Sequence, residues 1–296
     1  MERFGQHPDP RYTIIHLSDP HFLARGDALF GHLDTDRALE ASIDRVATQL
    51  QRADAIVVTG DLADRGEADA YGRVADLLEP LATRLSAELV WVMGNHDERR
   101  PFSERLYGLP TERPQDRVVQ LGGLRVVALD STVPGYHHGA LDRSQLDWLQ
   151  GVLKYPSPDG TILALHHPPL ASPVRIMGLI ELRNVADLES VVAGTDVRAI
   201  LAGHLHYPTF GTFAGIPVSV ASATCYTVDP LAGGREFIGS DANHAFSLVE
   251  VFDAGIVHSV VSPFAANPVT AYPPDFIASL EAMSVAARDA AFSKKR

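Results

Sequence analysis

The sequence predicts an α/β fold, a four-layer αββα sandwich in which two packed mixed β-sheets are flanked by helices. Strand, polar loop and helix alternate three times in about the first hundred residues, which requires crossover connections and a largely parallel core. After about residue 215 the pattern changes to hairpins, and a second sheet packed on the first is the economical reading. The chain has 296 residues, 46% hydrophobic and 21% charged, enough for a large core without disorder in the bulk.

Tyr12 to Leu17 reads as a strand rich in Ile and Thr. Leu39, Ile43, Val46 and Leu50 then recur at helical spacing. Ala55 to Thr59 is a short buried strand, a helix runs roughly from Asp69 to Leu85, and Leu89 to Met93 is the next strand, with Trp91 in its core. Leu124 to Leu129, Thr161 to Leu165 and Val197 to Ala202 follow as strands, and a helix starts at Ser144. Pro217 to Val220, Phe246 to Val251 and Ile256 to Val261 supply the later strands, with Asp253-Ala254-Gly255 as a turn. Residues 11–263 are expected to form the catalytic domain and 264–296 a C-terminal helical segment. There Phe276, Leu280, Met283 and Ala287 mark one helix ending in Lys294-Lys295-Arg296, whose charge suits a helix C-terminus. Docking on the body is the expectation for that segment.

Composition narrows the function. A net charge of −12 argues against binding a nucleic acid polymer, which needs a basic surface, but leaves room for a small phosphorylated ligand. The single cysteine, Cys225, excludes an intrachain disulfide and a Cys-based zinc site, and reads as a buried thiol. The start, Met1 to Gln6, lacks a basic segment followed by an apolar core, and no apolar run reaches membrane-spanning length. A cytoplasmic protein without stable membrane insertion is therefore expected.

Seven Asp, His and Asn residues fall in five blocks, four of which directly follow a predicted strand. The blocks are Asp19-Pro20-His21, Gly60-Asp61, Gly94-Asn95-His96-Asp97, His166-His167-Pro168-Pro169 and Gly203-His204-Leu205-His206. Ligands of open α/β sheets gather at the carboxyl ends of strands. On extended chain leaving a strand, Asp19 and His21 can point to one side and chelate one ion, and His204 and His206 have the same option. Asp61 has two oxygens and can bridge two ions, Asn95 offers a carbonyl oxygen, and His166 adds an imidazole. Singly the blocks mean little: Gly-Asp is often a turn, and Asn95 or Asp97 could cap a helix. Together, at successive strand ends, they describe a two-metal hydrolase. Hard oxygens with imidazoles and no thiolate suit Mn, Fe, Zn, Co or Ni better than Cu(I). Two carboxylates against two divalent ions leave a residual charge of about +2, which attracts phosphate even on an acidic protein.

These blocks, with Trp91-Val92-Met93, Val133 to Gly139 and Val218 to Tyr226, resemble the signature of the calcineurin-like metallophosphoesterases, and within them most the bacterial class III cyclic-nucleotide phosphodiesterases. The likeness covers roughly residues 11 to 262. It implies one metal held by Asp19, His21, Asp61 and His206, and another held by Asp61, Asn95, His166 and His204, with His166 favoured over His167. It also implies an Fe/Mn-type dinuclear centre and a homodimer. The expected activity is hydrolysis of small cyclic nucleotides, 3',5'-cAMP first and 2',3'-cyclic forms as further candidates, by hydroxide attack in line. The alternative is a glycerophosphodiesterase or a broad-specificity phosphodiesterase or phosphatase. A non-catalytic scaffold on the same fold is the rival from another class, but no ligand position is missing. Two-metal sites lower the pKa of water and clamp phosphate oxygens with ions about 3.5–4 Å apart. His96, beside Asn95, is the candidate general acid for the leaving alkoxide. Asn95, His96 and His138 are the expected substrate contacts, the resemblance favouring His138 over His137 in the Pro134-Gly135 loop. His7, His32, His244 and His258 are expected to be structural or exposed.

Overall fold

The computed structural model describes residues 4–24, 27–232, 236–264 and 266–295. Pro10–Phe264 forms one compact unit, and a second draws its described residues from the two ends of the chain, 4–9 and 266–295.

In the larger unit, β1 (Tyr12–Leu17), α1 (Asp36–Gln49), β2 (Ala55–Thr59), α2 (Ala68–Leu85), β3 (Glu88–Val92) and α3 (Arg99–Tyr107) repeat strand and helix three times. There follow β4 (Arg117–Leu121), β5 (Leu124–Leu129), the short pair β6 (Thr132–Val133) and β7 (Tyr136–Gly139), α4 (Arg143–Leu153), β8 (Thr161–Leu165), α5 (Val185–Val192) and β9 (Val197–Ala202). The unit closes with β10 (Thr209–Phe213), β11 (Ile216–Val220), a second short pair, β12 (Thr227–Val228) and β13 (Gly239–Ser240), and the hairpin β14 (Phe246–Val251) and β15 (Ile256–Val261). One sheet has the order β15-β14-β1-β2-β3 and the other β10-β11-β9-β8-β5-β4. β1, β2 and β3 are parallel, as are β5, β8, β9 and β11, so each sheet has the parallel centre that crossover helices demand.

Alternation along the strands builds the four layers. Ile56 and Val58 of β2 pack with Leu39, Val46, Tyr71, Val74, Leu78 and Phe102 of α1, α2 and α3. Ala55 and Val57, on the opposite face, meet Val126, Ala128, Ile162 and Ala164 of the second sheet. Val127, Leu129, Leu163 and Leu165 then face Leu146, Leu149, Leu188 and Val192 of α4 and α5. The predicted αββα order therefore holds.

Membership of the sheets differs from the expectation. The hairpin β14–β15 does not found the second sheet; it extends the first, pairing Val249 with Ile14 and Leu248 with Ile15. β1 opens the parallel set and would otherwise leave a bare edge of backbone donors and acceptors, which the returning chain covers. The second sheet is built instead from β4 onward. Its outer strands β4 and β10 were not foreseen, because Arg117 to Leu121 and Thr209 to Phe213 carry polar residues or glycine and lie half-exposed. α4 begins one residue before Ser144, with Asp142 and Gln145 forming a capping box.

In the smaller unit the expected single terminal helix is two, α6 (Pro274–Glu281) and α7 (Val285–Arg288), followed by a π turn at Asp289–Ser293. Ser284 interrupts them because its hydroxyl accepts from the Ala287 N–H and starts a new helix. Leu280 is the buried residue of α6, and the Arg288 guanidinium lies 4.7 Å from the Phe4 ring centroid. Lys294 and Lys295 follow the π turn, while Arg296 and the initial Met1 to Arg3 lie outside the described residues. Among the described residues no helix is long and apolar enough to cross a membrane.

His16 of β1 is fully buried, with Nε2 2.9 Å from Thr59 Oγ1. Burial first, and then His258, push its pKa down to about 3. The unfolded chain gains this proton below about pH 6.5 and the folded chain does not, so stability present above pH 6.5 is lost as pH falls toward about 3. We expect urea unfolding between pH 6 and 4 to lose up to about 1.4 kcal/mol per pH unit more in the wild type than in His16→Gln. Parallel slopes for the two proteins would remove His16 from the acid response.

Candidate metal centre

All five blocks meet at one end of the two sheets. Asp19 and His21 follow β1, Asp61 follows β2, Asn95 and His96 follow β3, His166 follows β8, and His204 and His206 follow β9. Backbone bonds tie these loops across the sheets: Asp19 N donates to Gly60 O at 3.1 Å and Gly203 N to His166 O at 3.0 Å. The loops come so close that two positions have no room for a side chain. A Cβ at Gly94 would overlap the backbone nitrogen and Oδ1 of Asp61, and one at Gly203 would overlap Ser18 Oγ and stand 2.7 Å from Asp19 Oδ2.

The expected extended chain at Asp-x-His and His-x-His is not what forms. Asp19, His21, Asp61, His204 and His206 have φ of 51°, 46°, 50°, 71° and 61°, half of the ten non-glycine residues with positive φ among the described residues. Left-handed backbone at such residues costs about 1–3 kcal/mol each and persists where surrounding structure enforces it. Here it turns the chain sharply where β1, β2 and β9 end, so that Asp19 and His21 reach one point, while His204 and His206, expected to be able to chelate one ion, fall in two separate groups.

The acceptors converge. His166 Nδ1 donates to Thr59 O at 2.7 Å, His206 Nδ1 to Tyr226 O at 3.0 Å and His21 Nδ1 to Asp64 Oδ1 at 3.0 Å. Each ring then turns its Nε2 inward. His204 uses the opposite nitrogen, donating Nε2–H to Ile180 O at 2.9 Å and keeping Nδ1 free. Inside, His21 Nε2 lies 3.3 Å from Asp61 Oδ2 and 3.3 Å from His206 Nε2. His206 Nε2 is 3.4 Å from Asp19 Oδ1, and His166 Nε2 is 3.4 Å from Asp61 Oδ2 and 3.1 Å from Asn95 Oδ1. Ring nitrogens and oxygens facing one another over these distances need a proton or a metal cation between them. Ligand atoms of Asp19, His21, Asp61 and His206 lie within 4.8 Å of one another, and those of His166, His167 and His204 form a second such group. Divalent ions fit this donor set of two carboxylates, one amide oxygen and four imidazoles.

The electrostatics agree. Burial alone would raise the Asp61 carboxyl, but His166, His96 and His21 outweigh it and hold it well below the usual range. Burial lowers His21 and His166, yet the carboxylates override it and lift them to about 10 and about 9. The cluster draws positive charge inward. His167 is different: burial and His166 push it down to about 3, and both ring nitrogens are engaged, Nδ1 with Ser131 Oγ at 2.8 Å and Nε2 with His137 O at 3.1 Å. It braces the β6–β7 segment and has no lone pair to offer.

Three supporting residues have roles that the sequence does not point to. Asp64 holds the His21 ring, and its backbone oxygen accepts from His96 Nδ1 at 2.9 Å, which leaves His96 Nε2 at the cavity. Asp97 does not cap α3, whose N-cap is Glu98; its carboxylate accepts from Leu62 N, Ala63 N and Gly94 N at 3.2, 3.0 and 2.8 Å and stitches the Asp61 loop to the Asn95 loop. His137 accepts from Asn95 Nδ2 at 3.0 Å, turning the amide oxygen toward His166. The Asp-x-x-Asp spacing from 61 to 64 and the Asp directly after Asn95-His96 were the only signals for the first two.

The centre opens into a cavity of about 410 Å³. His137 lines it beside His96, the ring centroids 5.0 Å apart. His138, the favoured contact, does not line it; β7 is a short strand, not a free loop, so alternate residues face apart and the His138 ring lies 5.1 Å from Tyr136. Cys225 is buried as expected, its thiol pushed up by burial, with Sγ 3.7 Å from His206 Nδ1. Trp91 belongs to the core, His7 and His32 are exposed, His244 is buried with Nε2 2.8 Å from Asp241, and His258 sits half-buried in β15.

Comparison with known proteins is consistent with this geometry. The chain is 50% identical over 260 residues to the cAMP/cGMP dual specificity phosphodiesterase of Mycobacterium tuberculosis, covering 88% of this chain and 82% of that one. It is 32% identical over 250 residues to the 3',5'-cyclic adenosine monophosphate phosphodiesterase of Pseudomonas aeruginosa, covering 80% and 89%. Its fold resembles that of a purple acid phosphatase from yellow lupin, with a TM-score of 0.58 at 15% identity over 85% of this chain and 51% of that one. Residues 12–208 match the calcineurin-like phosphoesterase family, and the chain belongs to it.

Proposed function

We propose that this phosphoesterase is a dinuclear-metal phosphodiesterase of small 3',5'-cyclic nucleotides, cyclic AMP first among them. The observation that carries the reading is the convergence of seven inward-facing donors beside a cavity sized for a small molecule. Asp19, His21, Asp61 and His206 would hold one ion, and Asp61, Asn95, His166 and His204 the other. We assign Fe and Mn to the two positions, with Zn, Co and Ni compatible with the donors, and a cytoplasmic homodimer as the working form. Residues 11–263 would be the catalytic domain and 264–296 an appended helical segment. The names of the relatives support cyclic nucleotides as substrate class, and the −12 charge supports a small anion over a polymer.

Bound ions would supply Lewis acidity, lowering the pKa of water and setting positive charge against the phosphate. The chain's own groups do the rest. Asn95, oriented by His137, presents its oxygen inward. His96 donates Nδ1–H to Asp64 O, so Nε2 is the atom that can carry a proton to the departing ribose oxygen. His137, at the same wall, takes the substrate-facing place given to His138 in the sequence reading.

Chelation should abolish hydrolysis of cyclic AMP and Mn should restore it, with bis(4-nitrophenyl) phosphate turned over in preference to the monoester. Monoester preference, or a Mn-loaded protein inert on every diester, would defeat the proposal. His96→Ala should slow cyclic AMP hydrolysis about 100-fold but bis(4-nitrophenyl) phosphate far less, since a good leaving group needs no proton. Equal losses would end the general-acid role. Asp64→Ala frees the His21 ring and should weaken Mn binding about 10–100-fold in a metal titration; unchanged affinity would mean that Asp64 does not position His21.

A further inference from the structure

One wall of the cavity is not made of ligands. It comes from the 3-10 turn Arg175–Leu179 with Ile180, from Tyr226 and Val228 at β12, and from Phe237 ahead of β13. Ile176, Leu179 and Phe237 line the cavity with apolar side chains that are 52%, 72% and 46% exposed. Large apolar groups held in the open beside a polar centre mark a contact surface.

The first two are fixed to the centre itself. Ile180 O accepts from His204 Nε2 at 2.9 Å and Tyr226 O accepts from His206 Nδ1 at 3.0 Å. The same two hydrogen bonds that turn the histidines inward therefore set the distance from wall to phosphate. Behind the rim, Val174 and Met177 are buried with Leu205, Tyr207 and Val228, so the turn is anchored from within. On the other side, Asp229 N donates to Ile238 O at 3.0 Å, which pins the backbone next to Phe237.

We infer that Ile176, Leu179 and Phe237 seat the nucleobase and set preference among diesters by apolar and stacking contact. The inference deepens the cyclic-nucleotide reading and rests on it. The phosphate end is shared by any diester, so a group that distinguishes cyclic AMP from a glycerophosphodiester has to lie at the far end of the ligand. A purine presents two apolar faces, which this wall matches and a glycerol does not. A wall that reads a face reads size and planarity, not the pattern of donors and acceptors on the base edge.

The test compares Mn-loaded, full-length wild type with Leu179→Ser and Phe237→Ala on cyclic AMP and on methyl riboside 3',5'-cyclic phosphate, which has the same scissile ring and no base. Both positions are exposed enough for the variants to fold. The wild type should favour cyclic AMP by about tenfold or more in kcat/KM, mainly through KM, and each variant should bring the ratio toward unity. A wild type that treats the two alike, or variants that lower both equally, would overturn the inference. Calorimetric binding of AMP against ribose 5-phosphate reads the wall without turnover. If AMP binds about tenfold more tightly and the gap closes in the variants, the wall is upheld even where cyclic AMP is not hydrolysed; equal affinities would refute it.

Discussion

Two buried carboxylates govern this molecule. Asp19 and Asp61 stand 0% and 2% exposed at the strand ends, where an unpaired charge would be prohibitively costly. The structure answers by surrounding them with donors. Ser18 Oγ and the His204 N–H donate to Asp19, and the His96 N–H donates to Asp61. Four histidines then turn ring nitrogens into the same space, where protons or metal cations can offset the cost of burial. The loops, their glycines and their left-handed turns follow from bringing these groups within reach of one another.

The supporting bonds carry a second consequence. A histidine is a useful ligand only when its other nitrogen is committed, because that commitment fixes both tautomer and ring direction. Thr59 O, Tyr226 O, Ile180 O and Asp64 Oδ1 make those commitments here. Two of these acceptors are backbone atoms of the cavity wall, so the organisation of the centre and the shape of the substrate site are one arrangement. His167 shows the opposite case, a histidine beside a ligand whose two nitrogens are already spent on Ser131 and His137.

Legibility in the sequence followed the range of the interaction. β1, β2, β5, β8 and β9 were readable to the residue, because each is a mostly apolar, largely buried run ended by a polar block. The half-exposed edge strands β4 and β10 lack that signature. The hairpin β14–β15 was visible as a hairpin, but its partner β1 lies more than two hundred residues away, and nothing local to residues 246–261 names it. The single terminal helix became two through the hydroxyl of Ser284, a competition between two starts that periodicity does not resolve.

By itself the sequence determined the layer order and the grouping of the polar blocks at strand ends, since these depend on periodicity and on side-chain chemistry that each block carries within itself. Tertiary structure decided what depends on contacts between blocks. It committed each ring nitrogen, set Asp64 and Asp97 to bracing and brought His137 instead of His138 to the cavity. It also replaced extended chain with left-handed turns at Asp19, His21, Asp61, His204 and His206. The reason is physical: orientation and backbone strain are fixed by partners that other strands supply, and those partners exist only once the two sheets have packed.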